Sequence, residues 1–237
     1  MKKDWGIVGL GWLGQHLARK LERQGQSFWG THRAELDLEH QALPLFESGT
    51  LLLNTPPLLK LTPETFLERV QNAAADRVIF VSSTSVFGKG QGAVTEMSEA
   101  RPDTSSGEWL LKTERRLAKH FGERLTIVRP GGLIGGQRHP VYHLAGKHNI
   151  ADGNDRVNLV HREDLVGILL ALPMGLPLVH AVTPHHPTRA EYYTAWAKRL
   201  HLPLPTFHPS GEGKRCVSST CLTDIYAQWH CPQLDFL

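Results

Sequence analysis

The apolar positions of the chain change their period as it is read from the N-terminus. Trp5-Gly6-Ile7-Val8-Gly9 is a short, nearly continuous apolar run, and Leu13, Leu17 and Leu21 follow it at four-residue spacing. A run of that length suits a buried strand, and the i, i+4, i+8 spacing gathers the leucines on one helical face. Together they predict a β-turn-α unit. Ser27-Phe28-Trp29-Gly30 predicts a second strand. Leu51-Leu52-Leu53, stopped by Asn54-Thr55-Pro56-Pro57, predicts a strand covered on both faces that ends at a functional edge. Thr62 then caps a helix with Pro63 at its first position, along which Phe66, Leu67, Val70 and Ala74 share one side.

The alternation continues. Val78-Ile79-Phe80-Val81-Ser82 is the next buried strand, followed by a Gly-rich segment through Gly92 and a helix holding Leu110, Leu111, Leu117 and Phe121. Leu125-Thr126-Ile127-Val128-Arg129 repeats the strand pattern and Pro130-Gly131-Gly132 ends it. Beyond lie a loop-rich stretch, a helix near Glu163 to Leu172, a strand at Leu178 to Val182, and a helix opened by the capping box Thr188-Arg189-Ala190-Glu191 and ending near Leu200. Strands alternating with helices predict an α/β fold with a doubly wound parallel sheet of Rossmann type. The Pro- and Gly-rich stretch from Leu202 to Gly213 predicts loops and short elements instead of more sheet. We therefore expect a single extended-type domain, with a Rossmann core at residues 1–130 plus 158–183 and a small substrate lobe at 131–157 plus 184–237.

Composition narrows the function. A length of 237 residues suits one main core, and 41% hydrophobic with 21% charged residues is ordinary globular usage. The net charge of +3, with 14 His, is mildly basic, but Lys and Arg form no stripe, so nucleic acid is not an expected partner. Cys216, Cys221 and Cys231 match neither CxxC nor a zinc ribbon, and His143 and His148 lack a third ligand of fitting spacing. No metal site is expected. The start Met1-Lys2-Lys3-Asp4 leads into a strand too brief for a signal peptide, and no window offers about 18 uninterrupted apolar residues. A cytoplasmic protein with no membrane partner is expected.

The first β-turn-α unit carries the strongest chemical signal. Gly9-Leu10-Gly11-Trp12-Leu13-Gly14 follows the strand and opens the amphipathic helix. There Gly9 permits the tight turn, Gly11 lets the backbone approach a pyrophosphate, and Gly14 lets helix and strand pack closely. The helix start offers free N–H groups and a positive dipole end to phosphates. NAD binders usually place a carboxylate at the end of the second strand; this chain has Gly30-Thr31-His32-Arg33. A hydroxyl and a guanidinium fork complement a 2′-phosphate, so Thr31 and Arg33 predict NADP(H) in preference to NAD(H). In the competing reading Arg33 is a solvated side chain and Glu35 or Asp37 serves as the carboxylate.

Later segments carry a resemblance. Ser82-Ser83-Thr84-Ser85-Val86-Phe87-Gly88, Val94-Thr95-Glu96, Arg101-Pro102, Val128-Arg129-Pro130-Gly131 and Asn158-Leu159-Val160-His161-Arg162-Glu163-Asp164-Leu165 occur in the order seen in one family. The chain from residue 5 to about 183 resembles the extended short-chain dehydrogenase/reductase superfamily, which includes nucleotide-sugar epimerases and dehydratases. The resemblance implies that Ser83, five residues before Gly88, hydrogen-bonds the reacting oxygen, with Ser82 beside it on the cofactor side. It implies that Asp37-Leu38, the pair following the third strand, faces adenine. Asn54-Thr55-Pro56 would lie against a cofactor ribose, Pro130 beside the nicotinamide, and His161 and Asp164 at a strand-to-helix junction on the substrate side. Gln137-Arg138-His139-Pro140 follows a glycine-rich loop that crosses the substrate cleft in relatives, so Arg138 and His139 are candidates for an anionic substrate, with a solvated loop as the alternative.

One departure is plain. The family's proton donor is the Tyr of a YxxxK helix, and no Tyr occurs between Met1 and Val141. Aligning that helix on Glu114 sets Ser106 and Leu110 at the Tyr and Lys positions; aligning by distance from Gly88 sets Glu108 and Lys112 there. The chain thus resembles an atypical branch of the superfamily. Two functions follow: an NADP(H)-dependent oxidoreductase or epimerase/dehydratase-like enzyme on a small polar or sugar-nucleotide substrate, or a non-catalytic NADP(H)-binding sensor. G-x-S-x-G is absent, and Ser82-Ser83 lies at a strand end without a nucleophile elbow, so serine hydrolysis is set aside.

Overall fold

The computed structural model describes residues 1–211 and 215–235; Gly213, the side chain of Cys216 and positions 236–237 of the predicted lobe lie outside the described residues. The strands are β1 (Lys3–Val8), β2 (Phe28–Thr31), β3 (Glu47–Leu53), β4 (Ala74–Val81), β5 (Gly92–Val94), β6 (Leu125–Pro130), β7 (Gly132–Ile134), β8 (Leu159–His161), β9 (Leu178–Ala181) and β10 (Arg215–Val217). The helices are α1 (Trp12–Arg23), α2 (Pro63–Val70), α3 (Ser105–Phe121), α4 (Val141–Leu144), α5 (Arg162–Ala171), α6 (Arg189–Arg199) and α7 (Leu222–Ile225).

Six strands form one sheet in the order β2-β1-β3-β4-β6-β9, and every pairing in it is parallel. The period-two alternation of a strand explains why both faces are covered. Ile7, Leu52, Ile79 and Val128 point to the side packed by Leu13, Leu17 and Leu21 of α1 and Leu165, Ile168 and Leu169 of α5. Val8, Leu51, Leu53, Val78 and Phe80 point to the side packed by Phe66 of α2 and Trp109, Leu117 and Phe121 of α3. Burying each such side chain contributes about 1.5–3 kcal/mol, so the two apolar layers fix the register of the sheet. Its strand order reverses beside β1, where β2 and β3 flank it on opposite sides. At such a point the loops diverge and leave a crevice at the carboxyl ends of the strands.

Several boundaries differ from the sequence expectation. The first strand ends at Val8, because Gly9 has φ +102° and already turns. Ala74 is not part of α2. That helix stops at Val70, and Ala74 is the first residue of β4, in register with Glu47. The stretch after Pro130 is more ordered than a loop: β7 and β8 pair in parallel, and with α4 and α6 they enclose a third apolar cluster of Ile134, Val141, Val157, Leu159, Tyr192, Tyr193 and Trp196. The chain after residue 214 returns to the main body. β10 pairs with β5, Glu96 accepts hydrogen bonds from Ser219 Oγ (2.5 Å) and Thr220 N (2.9 Å), and buried Asp164 accepts from His230 N (2.5 Å) and Cys231 N (3.0 Å). None of the described helices is long and apolar enough to cross a membrane.

Candidate functional site

Two adjoining pockets run along the carboxyl ends of β2, β1, β3, β4 and β6, and Gly11, Asn54, Thr55 and Pro56 line both. They form one trough, with the glycine turn at its middle.

The three glycines of that turn have three different surroundings. A Cβ on Gly9 would lie 2.2 Å from the Asn54 carbonyl oxygen, and one on Gly14 would lie 2.3 Å from the Gly9 carbonyl oxygen. Both positions are closed by backbone. A Cβ on Gly11 would meet nothing within 4 Å. Gly11 is the N-cap of α1 and has no side chain to satisfy the first-turn amides, so these N–H groups face the trough. Asn54 Nδ2 donates to Gly9 O at 3.1 Å and pins the turn against the end of β3.

One half of the trough is lined by Thr31, Arg33, Asp37 and Leu38 together with Val8 and Leu58. Thr31 is buried at the end of β2. Arg33 lies on the rim, where Nη2 donates to Glu39 Oε1 at 3.0 Å and Nε approaches Asp37 Oδ2 at 3.5 Å. The Glu39 amide, donating to Asp37, holds the Asp37 carboxyl below the usual carboxylate range, with desolvation opposing and Arg33 assisting. The expectation that Asp37-Leu38 follows the third strand is corrected: the pair lies in the turns between β2 and β3. Leu38 is buried there among the core residues while still lining the pocket.

The other half is lined by Trp12, Leu13, Ser82, Ser83, Ser85, Leu110, Pro130 and Arg138. Ser83 Oγ accepts the Ser85 amide at 3.1 Å, which fixes the side chain in a 3-10 turn and leaves its proton to donate. Ser82 Oγ donates to Glu114 Oε1 at 2.5 Å, and Arg129 clamps the same carboxylate through Nε (3.0 Å) and Nη2 (2.6 Å). Glu114 and Arg129 are 3% and 6% exposed, so this is a fully buried, two-pronged ion pair directly behind the serine wall. Sequence reasoning used Glu114 only to align a helix and did not pair it with Arg129. The available signal was a Glu on the buried side of an amphipathic helix, next to Thr113 and four residues before Ala118, facing a strand that carries an Arg in an otherwise apolar run.

The same face of α3 resolves the two alignments. Leu110 lines the pocket, whereas Glu108 and Lys112 are exposed. The four tyrosines begin at Tyr142, and among the described residues neither Tyr, Lys, His nor a carboxylate lines this half. Arg138 is the one charged residue lining it among the described residues. A tight turn with reciprocal Gly135 and Arg138 backbone bonds (3.0 and 3.1 Å) holds Arg138, and its guanidinium lies 5.0 Å from the centre of the Trp12 indole.

Two histidine candidates do not reach the trough. His139 is 3% exposed and packed among Tyr192, Tyr193 and Trp196, with Nε2 2.8 Å from Tyr192 Oη and Nδ1 accepting the Val141 amide at 3.2 Å. His161 ends β8 and caps α5, its Nδ1 accepting the Glu163 amide at 3.2 Å, with its ring 4.9 Å from that of His230. Neither ring is among the residues that line the trough; each spends Nδ1 on a backbone amide, and His161 Nε2 is buried with no hydrogen-bond partner among the described residues. Burial pushes the His139 imidazole down to about 4. Burial, aided by the neighbouring His230, pushes His161 down to about 4. The unfolded chain therefore binds more protons than the folded one between pH 4 and 6.5. The stability these groups contribute is complete above 6.5 and is lost as pH falls toward 4, at most about 3 kcal/mol each. Urea unfolding midpoints are expected to fall across that window; a flat profile would mean that the imidazoles are solvated in the folded chain.

No family model matches the chain. YeeZ of Escherichia coli K12 is 33% identical to it over 266 aligned positions, covering 97% of each chain. Among solved structures, a functionally unknown conserved protein from Silicibacter pomeroyi superposes with a TM-score of 0.80 at 19% identity, covering 98% of this chain and 96% of that one. UDP-glucuronic acid 4-epimerase from Bacillus cereus, in complex with NAD, superposes with a TM-score of 0.72 at 14% identity, covering 96% and 91%. A putative NAD-dependent epimerase/dehydratase from Methylobacillus flagellatus shares the same α/β fold, with a TM-score of 0.74 at 22% identity, and the chain belongs to the family of YeeZ.

Proposed function

We propose that the chain is an NADP(H)-dependent oxidoreductase or epimerase/dehydratase-like enzyme acting on a small polar substrate that carries an anionic group. The observation that carries the cofactor reading is the open space at Gly11, between two glycines closed by backbone, at a helix start whose amides have no side-chain cap. A pyrophosphate fits that place. Asn54, Thr55 and Pro56 would hold the middle of the dinucleotide, Thr31 and Arg33 its 2′-phosphate, Asp37 and Leu38 its adenine, and Ser82 and Pro130 the nicotinamide end. When bound, the nicotinamide would supply or accept a hydride.

The remaining steps belong to this chain's own residues. Ser83 donates a hydrogen bond to the reacting oxygen from a fixed turn, and Leu110, Val81 and Leu133 keep water from it. Arg138, the one charge in this half among the described residues, holds the substrate's anionic group; its planar fork suits a carboxylate or phosphate. Ser83→Ala is expected to lower the rate of whatever carbonyl or sugar-nucleotide compound is turned over. Glu108→Gln should leave it unchanged, because Glu108 is exposed and lines neither half of the trough. A large loss of rate in Glu108→Gln with unaltered cofactor affinity would overturn this arrangement.

Cofactor choice has its own test. Arg33→Ala should weaken NADP binding by about 1.5 kcal/mol, the low end for a charge-assisted pair because two carboxylates compete for the guanidinium, and leave NAD binding unchanged. Equal losses for the two cofactors would assign Arg33 to adenine or to the fold.

One observation favours a second reading, a cofactor-binding sensor without turnover. Among the described residues, serine and threonine hydroxyls and one Arg are the ionisable or hydroxyl groups lining the reaction half, with no general acid or base beside them, and such a group typically contributes about 10² to 10⁴ in rate. Nicotinamide fluorescence followed over a panel of carbonyl and sugar-nucleotide compounds separates the readings: stereospecific hydride transfer to any of them excludes the sensor.

A further inference from the structure

At the rim of the adenosine half, one carboxylate lies between two cations. Glu39 Oε1 accepts from Arg33 Nη2 at 3.0 Å, and Glu39 Oε2 is 3.2 Å from Lys60 Nζ. The Glu39 side chain is 9% exposed, whereas those of Arg33 and Lys60 are 64% and 79% exposed. The acid is therefore seated and the cations reach in to it. Its backbone is held too, with the Glu39 amide donating to Asp37 Oδ1 at 3.0 Å. The two cations come from different segments. Arg33 follows β2 beside pocket-lining Thr31, and Lys60 lies on the β3–α2 connection, two residues after pocket-lining Leu58.

Two cations meeting on an anion at the lip of a nucleotide pocket is the arrangement a phosphate monoester would require, with a carboxylate of the chain itself in the anion's place. We propose that Glu39 is a built-in competitor for the 2′-phosphate of NADP(H), and that Lys60 is the second cation of that phosphate subsite. In the cofactor-free protein Glu39 neutralises Arg33 and Lys60. When the 2′-phosphate arrives, the guanidinium and ammonium exchange the carboxylate for it. No bond is broken and the protons stay on the cations. NAD(H), with a bare 2′-hydroxyl, has nothing to offer in exchange and leaves the Glu39 contacts in place. The chain thus holds its NADP(H) affinity below what Arg33 and Lys60 could give. This inference rests on the cofactor reading above and adds two residues to it.

The test is a titration of the full chain, two single variants and their double variant with NADPH and NADH, each followed by nicotinamide fluorescence at fixed ionic strength. Glu39→Gln should tighten NADPH about three- to tenfold and leave NADH unchanged. Lys60→Ala should weaken NADPH by a similar factor, again with NADH unchanged, and Glu39→Gln combined with Lys60→Ala should lose most of the gain. Lys60 is exposed and Glu39→Gln keeps the size and shape of the seated side chain, so the folded state is expected to persist, and a circular-dichroism melt checks it. If neither variant changes the NADPH-to-NADH ratio while the unaltered protein binds both cofactors, the competitor and the second cation are overturned and the glycine-turn site stands. Failure of the unaltered protein to bind either cofactor would overturn the site itself, and this inference with it.

Discussion

Glu114→Ala is expected to destabilise the folded chain by about 3–5 kcal/mol, a large part of the roughly 5–15 kcal/mol that holds a domain of this kind together. Arg129 is 6% exposed and donates two hydrogen bonds to Glu114. Removing the carboxylate leaves a buried guanidinium with the face of the Phe87 ring, 5.2 Å away, in place of a counter-charge. Ser82 would lose its acceptor at the same time. The measurement is the urea midpoint at constant m-value. The double replacement Glu114→Met with Arg129→Met should recover much of the loss, because it removes both charges and not one. A loss below about 1 kcal/mol for Glu114→Ala would show that Arg129 finds water by moving, and that the wall behind the serines is not rigid.

The second large effect is on binding, with the fold left in place. Gly11→Val should weaken NADP(H) binding at least about 100-fold, or about 2.7 kcal/mol, because a branched side chain would fill the open space a pyrophosphate needs. Gly11 has φ −80° and a Cβ there would touch nothing within 4 Å, so valine is tolerated by the chain alone. The stability cost should be about 1 kcal/mol, that of a poorer N-cap. Gly9→Ala and Gly14→Ala should behave in the opposite way. Their Cβ atoms would lie 2.2 and 2.3 Å from backbone oxygens, so they should unfold the turn itself. Unchanged NADP affinity in Gly11→Val would remove the pyrophosphate from this helix start.

What the sequence showed and what it hid follow from the range of the forces involved. Local features were legible. The leucines of α1 at helical spacing, the Thr62 cap with Pro63, and the Thr188 and Glu191 capping box all recur in the structure. Each depends on neighbours within one turn. The parallel sheet followed from alternation, since strands buried on both faces leave unbroken apolar runs such as Leu51-Leu52-Leu53. Pairings between distant segments were hidden. Glu114 and Arg129 are separated by a turn, a strand and the thickness of a helix layer, and neither has a sequence partner at helical spacing. The return of β10 to β5 joins residues more than a hundred positions apart. The surroundings of His139 and His161 were hidden for a related reason: a histidine in a loop reads as polar and available, and only the fold shows that both are buried with Nδ1 engaged by a backbone amide. The placement of Leu110 in the trough, with Glu108 and Lys112 outside it, likewise required the rotation of α3, which spacing from Gly88 did not fix.

The central claim is that the trough over Gly11 holds a nicotinamide dinucleotide and that its β2 edge selects the 2′-phosphate. It is tested most directly by titrating the unaltered protein with NADPH and with NADH in parallel, at one pH and one ionic strength. The account predicts saturable binding at a single site, with NADPH tighter than NADH by about tenfold or more, the worth of one charge-assisted contact. Tighter binding of NADH would contradict the selection by Arg33, and binding of neither would contradict the site.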